Sequence, residues 1–206
     1  LMHRNRPRRV PVPAPDIAAA LAAARPVAVH ERVPEAPSEE DRAARVAQLA
    51  QVLRQLMAEP DAAFRQPAVL YQDFLVRLKI ARLGAPPDLV AFRRMLALAR
   101  AGVDEAALAT DPQWPDVAAQ SAALPEDTQG VYLLLAGAAL SARPCPSDEA
   151  IARAYGSRSP GRARRLLEWL EGQGAIVCRT DALGRRIVAL TGSGRETAPG
   201  DPAAAA

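Results

Sequence analysis

Between residues 158 and 165 the chain reads Arg-Ser-Pro-Gly-Arg-Ala-Arg-Arg, which places four guanidinium groups beside a hydroxyl and a glycine. A guanidinium is permanently charged and presents its donors as a planar fork, a geometry that suits phosphate oxygens or the O6 and N7 of guanine. Arg179, Arg185 and Arg186 form a second basic group a short way downstream. Other chemistries lack their parts. There is no Gly-x-Ser-x-Gly, no glycine-rich phosphate loop carrying a lysine, and no histidine near a cysteine or serine pair. The two cysteines, Cys145 and Cys178, and the two histidines, His3 and His30, are too scattered for a zinc site, and the cysteines read as packing residues. Neither catalysis nor a cofactor nor a metal is expected, and binding to double-stranded DNA is.

To act together, these arginines need elements that aim them. Ser147 reads as the N-cap of a short helix whose inner face is Ala150, Ile151 and Ala154, and Gly156 ends it where a left-handed residue is required. After a tight turn, Ser159 reads as the next N-cap, with Pro160 at the first helical position, where its missing N–H is no loss. Leu166, Leu167 and Leu170 face inward, and Gly172 with Gly174 closes this helix over 159–172. Two β-prone runs, 175–179 and 185–190, flank a five-residue turn and predict a hairpin, or wing. Ahead of them, 126–141 is a helix apolar on several sides. Trp169 and, in part, Tyr155 are expected against the core.

The Gly-x-x-Ser-Pro turn at Gly156, Ser159 and Pro160, the ending at Leu170, Gly174 and Ile176, and the hairpin beyond resemble the winged-helix DNA-binding domain of the LexA-type SOS repressors. The resemblance covers about a third of the chain and implies a winged helix-turn-helix. It further implies that Ser159, Gly161, Arg162, Arg164 and Arg165 reach base edges. Arg158 in the turn and Arg179, Arg185 and Arg186 on the wing then suit the phosphate backbone. In that family the domain opens the chain and a serine-lysine self-cleaving domain follows, whereas here the corresponding stretch comes last. Neither self-cleavage nor an SOS role is implied.

The rest of the chain reads as helical support. Aromatic residues make up only 4% of the 206, alanine and leucine dominate, and Lys79 is the only lysine among 26 basic residues. This composition favours helices and points to a GC-rich, bacterial genome. The net charge of +3 is unremarkable, but residues 143–195 carry ten arginines against five acids, while 10–142 are mildly acidic. The expected organisation is a disordered basic arm and proline-rich linker over 1–37, then a helical bundle over 38–110 for interaction or dimerisation. A linker over 111–124, the winged helix over 125–191 and a disordered tail over 192–206 follow. Within the bundle, Val46, Leu49, Val52, Leu53 and Leu56 mark one stripe, 67–83 a second helix and 86–102 a third. The arginines of this region, Arg77, Arg93 and Arg100 among them, read as a solvated frame.

The fold class expected is therefore mostly α, an N-terminal bundle plus a C-terminal winged helix-turn-helix. The function expected is a cytoplasmic, nucleoid-associated transcription regulator, working as a homodimer and touching RNA polymerase or another regulator. A replication or assembly accessory factor that uses the winged helix for protein contact is the alternative. No apolar run reaches the roughly 20 residues of a membrane span.

Overall fold

The computed structural model describes residues 38–104 and 109–205. The arm and linker expected over 1–37 and residues 105–108 of the expected bundle lie outside the described residues. The first helix, α1 (Glu39–Met57), carries three carboxylates in its first turn, where the helix dipole is positive, and buries Val52, Leu53 and Leu56. Val46, expected in the same stripe, is instead exposed. A 3-10 turn (Ala62–Phe64) follows, entered through Asp61 in the left-handed region at φ 63°. Helix α2 (Pro67–Ile80) starts on proline and buries Leu70, Phe74 and Leu78. Helix α3 (Leu89–Ala101) begins later than expected, because Asp88 is the true N-cap: its carboxylate accepts the Ala91 N–H at 2.7 Å. Pro86 and Pro87 stay outside, as a residue before proline is pushed out of the helical region. The Phe92 ring lies 5.0 Å from Tyr71 and 5.1 Å from Phe74, locking α3 to α2.

Four more helices and a hairpin complete the described fold: α4 (Trp114–Ala123), α5 (Glu126–Leu140), α6 (Asp148–Tyr155), α7 (Pro160–Gly172), β1 (Ile176–Thr180) and β2 (Arg186–Leu190). The protein is thus mostly helical, with seven α-helices and one small antiparallel sheet among the described residues. Ile176 pairs with Leu190 and Thr180 with Arg186, so Ile176, Val188 and Leu190 all turn inward.

Two stretches depart from expectation. Residues 111–124, expected as a linker, contain α4, which buries Trp114 and Val117. The prolines that suggested a break do not prevent it, since Pro115 sits in the first turn, where no N–H is needed. Residues 192–206, expected to be disordered, are ordered through 205 against the hairpin and the strand-like segment before α6. Arg186 and Gly200 exchange both backbone hydrogen bonds, at 2.8 and 2.9 Å, and Thr197 does the same for Val188 through its N–H and hydroxyl. On its other side, the tail receives the Cys145 N–H on Ala198 and the Asp148 N–H on Pro202. Gly200 is needed at this crossing, because a Cβ would overlap the Cys145 carbonyl.

Residues 39–206 form one compact unit. Its buried side chains fall into two groups that divide within α3, where Leu96 joins the α1–α2 cluster and Ala97 and Ala101 join the cluster around α5. The expected boundary at 111–124 therefore does not divide the core. At the centre, α5 buries eleven of its fifteen residues, consistent with its all-round apolar sequence. It approaches both α3 and α6 at Gly130, where a Cβ would stand 3.0 Å from the Ala154 carbonyl and 3.4 Å from that of Ala97.

Gly130→Val is expected to lower unfolding stability by about 1–3 kcal/mol through overpacking at this double contact, read as a fall in the urea midpoint. Ala142, which follows α5 at φ 49°, gives the opposite sign. A left-handed non-glycine residue is disfavoured by about 1–2 kcal/mol, so Ala142→Gly should raise the midpoint by up to about 1 kcal/mol after glycine's own entropy loss. Tyr132 supplies a third test. Its buried hydroxyl donates to Gln120 Oε1 at 2.7 Å, and burial pushes its pKa up to about 12. A phenol raised in the folded state contributes stability that is complete below about pH 10 and lost as pH climbs towards 12. Tyr132→Phe should flatten the alkaline limb of a stability–pH curve.

Candidate nucleic-acid interface

Helix α6 is short and its ends are set chemically. The Ser147 hydroxyl accepts the Ala150 N–H at 3.3 Å, and Gly156 terminates the helix at φ 88°. Four residues, 156–159, then connect to α7. Ser159 does not cap α7 with its side chain, as had been expected. The turn is held by the Ser157 hydroxyl, which accepts the Ser159 N–H at 3.1 Å, and by the Ser159 carbonyl, which accepts the Arg162 N–H at 3.0 Å. Ala163, Leu166, Leu167 and Leu170 are buried, and Gly174 at φ 71° ends the helix so that the Ala175 N–H reaches back to the Leu170 carbonyl.

With that face inward, Ser159, Gly161, Arg162, Arg164 and Arg165 are all exposed. They are not equivalent. Gly161, Arg165 and Glu168 look most directly away from the buried face, by helical geometry. Arg162 folds back, its guanidinium 4.6 Å from the Tyr155 ring centroid and donating to the Tyr155 hydroxyl at 2.9 Å, while that hydroxyl donates to Asp127. Arg164 lies 3.5 Å from Asp148 with its side chain three-quarters exposed, a weak tether. Arg158, in the turn, pairs with Asp61 at 2.6 Å and covers the Phe64 ring at 4.4 Å. Trp169, expected in the core, is 36% exposed on the same side as Arg162 and Arg165.

The hairpin arginines are more fully engaged. Arg185 pairs with Asp181 at 2.8 Å across the turn. The Asp181 carboxylate also accepts the Arg185 and Leu183 N–H groups, and these bonds, the Arg185 N–H foremost, hold its pKa below the ordinary value. Arg179 pairs with Glu196 of the tail. Arg186 corrects an expectation outright. Predicted as a backbone contact on the wing, it is only 8% exposed and its guanidinium points inward. It donates to Asp148 Oδ1 at 2.6 Å, to the Pro146 carbonyl at 2.6 Å and to Cys145 Sγ at 3.3 Å. Burial alone would lower its pKa, but these acceptors, Asp148 first, hold it above the ordinary value. It is a structural cation.

Both cysteines are free thiols. Burial, reinforced by the nearby Glu171 carboxylate, pushes Cys178 up to about 11, so it remains a protonated packing group at neutral pH. Among the described residues, no cluster of three or more histidine, cysteine or acidic side chains is placed to hold a metal, and no helix is long and apolar enough to cross a membrane. Sequence reasoning missed a further set, Arg65, Arg93 and Arg100, which line a cleft behind the α6–α7 turn. Their only sequence signal was basic character within an otherwise acidic region. Comparison with models of known families, with curated proteins and with solved structures gives no significant match.

Truncating Arg186 separates the structural arginine from the surface ones. Arg186→Met leaves Asp148 buried without its cation and should cost about 3–5 kcal/mol of stability, seen as a large fall in Tm by circular dichroism. Arg165→Met, on the exposed face, should leave Tm almost unmoved.

Proposed function

We propose that this protein binds duplex DNA as a transcription regulator, with α6, the 156–159 turn and α7 acting as a helix-turn-helix and the β1–β2 hairpin as its wing. The observation that carries the reading is the outward face of α7. Gly161, Arg164 and Arg165 stand exposed on its first turns, directly after a glycine turn that fixes the angle between the helices. That face can enter a major groove, where a good bidentate arginine–guanine contact contributes about 1–3 kcal/mol of discrimination. The tethers on Arg158 and Arg164 do not oppose this strongly. Surface ion pairs are worth about 0–1 kcal/mol, so phosphate oxygens can replace Asp61 and Asp148 as acceptors. One recognition helix reads few base pairs, and a homodimer would double the site.

A specific observation favours the second reading, a winged helix that contacts protein within a replication or assembly complex. Arg179 and Arg185 are already paired, Arg186 is internal, and Glu168 and Glu171 share α7 with the arginines. The hairpin therefore offers less free positive charge than its sequence suggests.

Fluorescence anisotropy with labelled duplex fragments of the source genome, titrated over a range of salt, tests the first reading. The expected result is salt-dependent binding that falls at least about tenfold when Arg162, Arg164 and Arg165 become alanine together. The slope of log affinity against log salt should shrink by about 0.9 for each phosphate contact removed. Absence of duplex binding at low salt, or identical binding by the triple variant, defeats it and leaves the protein-contact reading standing.

A further inference from the structure

Behind the α6–α7 turn lies a cleft of about 460 Å³, bounded by the 3-10 turn, α3, the start of α5 and the end of α6. Its volume falls within the range of small-molecule sites, about 300–1,000 Å³. Phe64, Pro67 and Leu96 supply an apolar wall, and Gly130 keeps part of the floor down to backbone. Charged groups line the remainder, and nearly all are matched. Arg93 pairs with Glu126 at 2.5 Å, Arg65 pairs with Glu59 at 2.8 Å and Asp73 at 3.4 Å, and Asp127 accepts the Tyr155 hydroxyl at 3.0 Å.

Arg100 is the exception. Its Nη2 donates to the Arg65 carbonyl at 2.8 Å, but it has no carboxylate partner among the described residues. Its Nε is the buried side-chain nitrogen or oxygen that finds no acceptor among them. Burial accordingly holds its pKa below the ordinary value, the reverse of Arg186. Arg100 lines the cleft, so a carboxylate entering there can pair with its guanidinium in a charge-assisted hydrogen bond.

We propose that this cleft binds a small organic monocarboxylate, its carboxylate on the Arg100 guanidinium and its apolar body against Phe64, Pro67 and Leu96. Arg100 is the arginine of the cleft wall without a carboxylate partner among the described residues, and its planar fork matches a carboxylate better than a tetrahedral phosphate dianion, which the Glu126 and Asp127 carboxylates of the same wall would also repel. The site also touches the turn. A Cβ at Gly156 would lie 3.2 Å from Arg100 Nη1, so the guanidinium packs directly on the residue that sets the α6–α7 angle. A carboxylate that engages Arg100 therefore reports at Gly156 whether or not DNA is bound.

The test uses the full chain without DNA, with sodium benzoate and sodium hexanoate as probes and benzyl alcohol and inorganic phosphate as controls. Amide resonances are followed by two-dimensional NMR and affinities by calorimetry. The expected result is saturable binding of at least one carboxylate with Kd of about 10 mM or tighter, moving the Gly156 and Ser157 amides, with both controls at least about tenfold weaker. Arg100→Gln should weaken the carboxylate by about tenfold or more. Gln66→Trp, an exposed change at the rim, should narrow the cleft and weaken it as well, and it keeps the test intact if Arg100→Gln does not fold. Failure of both carboxylates to move those amides, equal binding of benzyl alcohol or phosphate, or undiminished binding in the folded variants overturns the proposal.

Discussion

The buried guanidinium of Arg186 sets the terms for the C-terminal half of the molecule. Removing a charge from water carries a penalty of several kcal/mol, which is offset only where every donor finds an acceptor in good geometry. Here the guanidinium's acceptors are Asp148 at the head of α6 and the Pro146 carbonyl with the Cys145 sulfur before it, while the backbone N–H of the same residue is taken by the Gly200 carbonyl of the tail. The residue thus ties hairpin, α6 and tail together. The second oxygen of Asp148 reaches Arg164, so the same carboxylate links the interior to the exposed face of α7.

A second constraint operates further from the surface. Helix α3 gives Leu96 to one group of buried side chains and Ala97 and Ala101 to the other, and α5 meets it at Gly130 with almost no side chain between the backbones. The helices of the N-terminal half are thus in direct register with those that carry the arginines. Asp61 and Phe64, which belong to that half, hold Arg158 of the α6–α7 turn, so the turn is braced from outside its own motif.

Features governed by local chemistry were legible in the sequence. Ser147, Gly156, Pro160 and Gly174 mark the ends of α6 and α7 through caps, left-handed residues and a free first-turn position, and each of these acts over a few residues. The hairpin followed from two short β-prone runs, of five and six residues, either side of a turn. What escaped depends on distant partners. Arg185 and Arg186 are indistinguishable as letters, and only the strand register together with an acid 38 positions away turns one inward. Helix α4 was hidden by prolines that prove harmless at its start. The tail looked like a polar, glycine- and proline-rich end because its order comes from hydrogen bonds to 143–148 and β2, not from any pattern of its own. Arg100 read as surface for the same reason: its burial is produced by the 3-10 turn and Gly156, far away in sequence.

The ordered tail also alters what kind of surface the hairpin presents. A two-stranded ribbon ordinarily offers two open edges onto which another strand can zip. Here the outer side of β2 is occupied by residues 196–200, while on the outer side of β1 the Glu171 carboxylate takes the Cys178 N–H at 2.8 Å. Both flanks of the ribbon are thus blunted from within the chain. Strand addition at this ribbon is thereby discouraged as a route to aggregation.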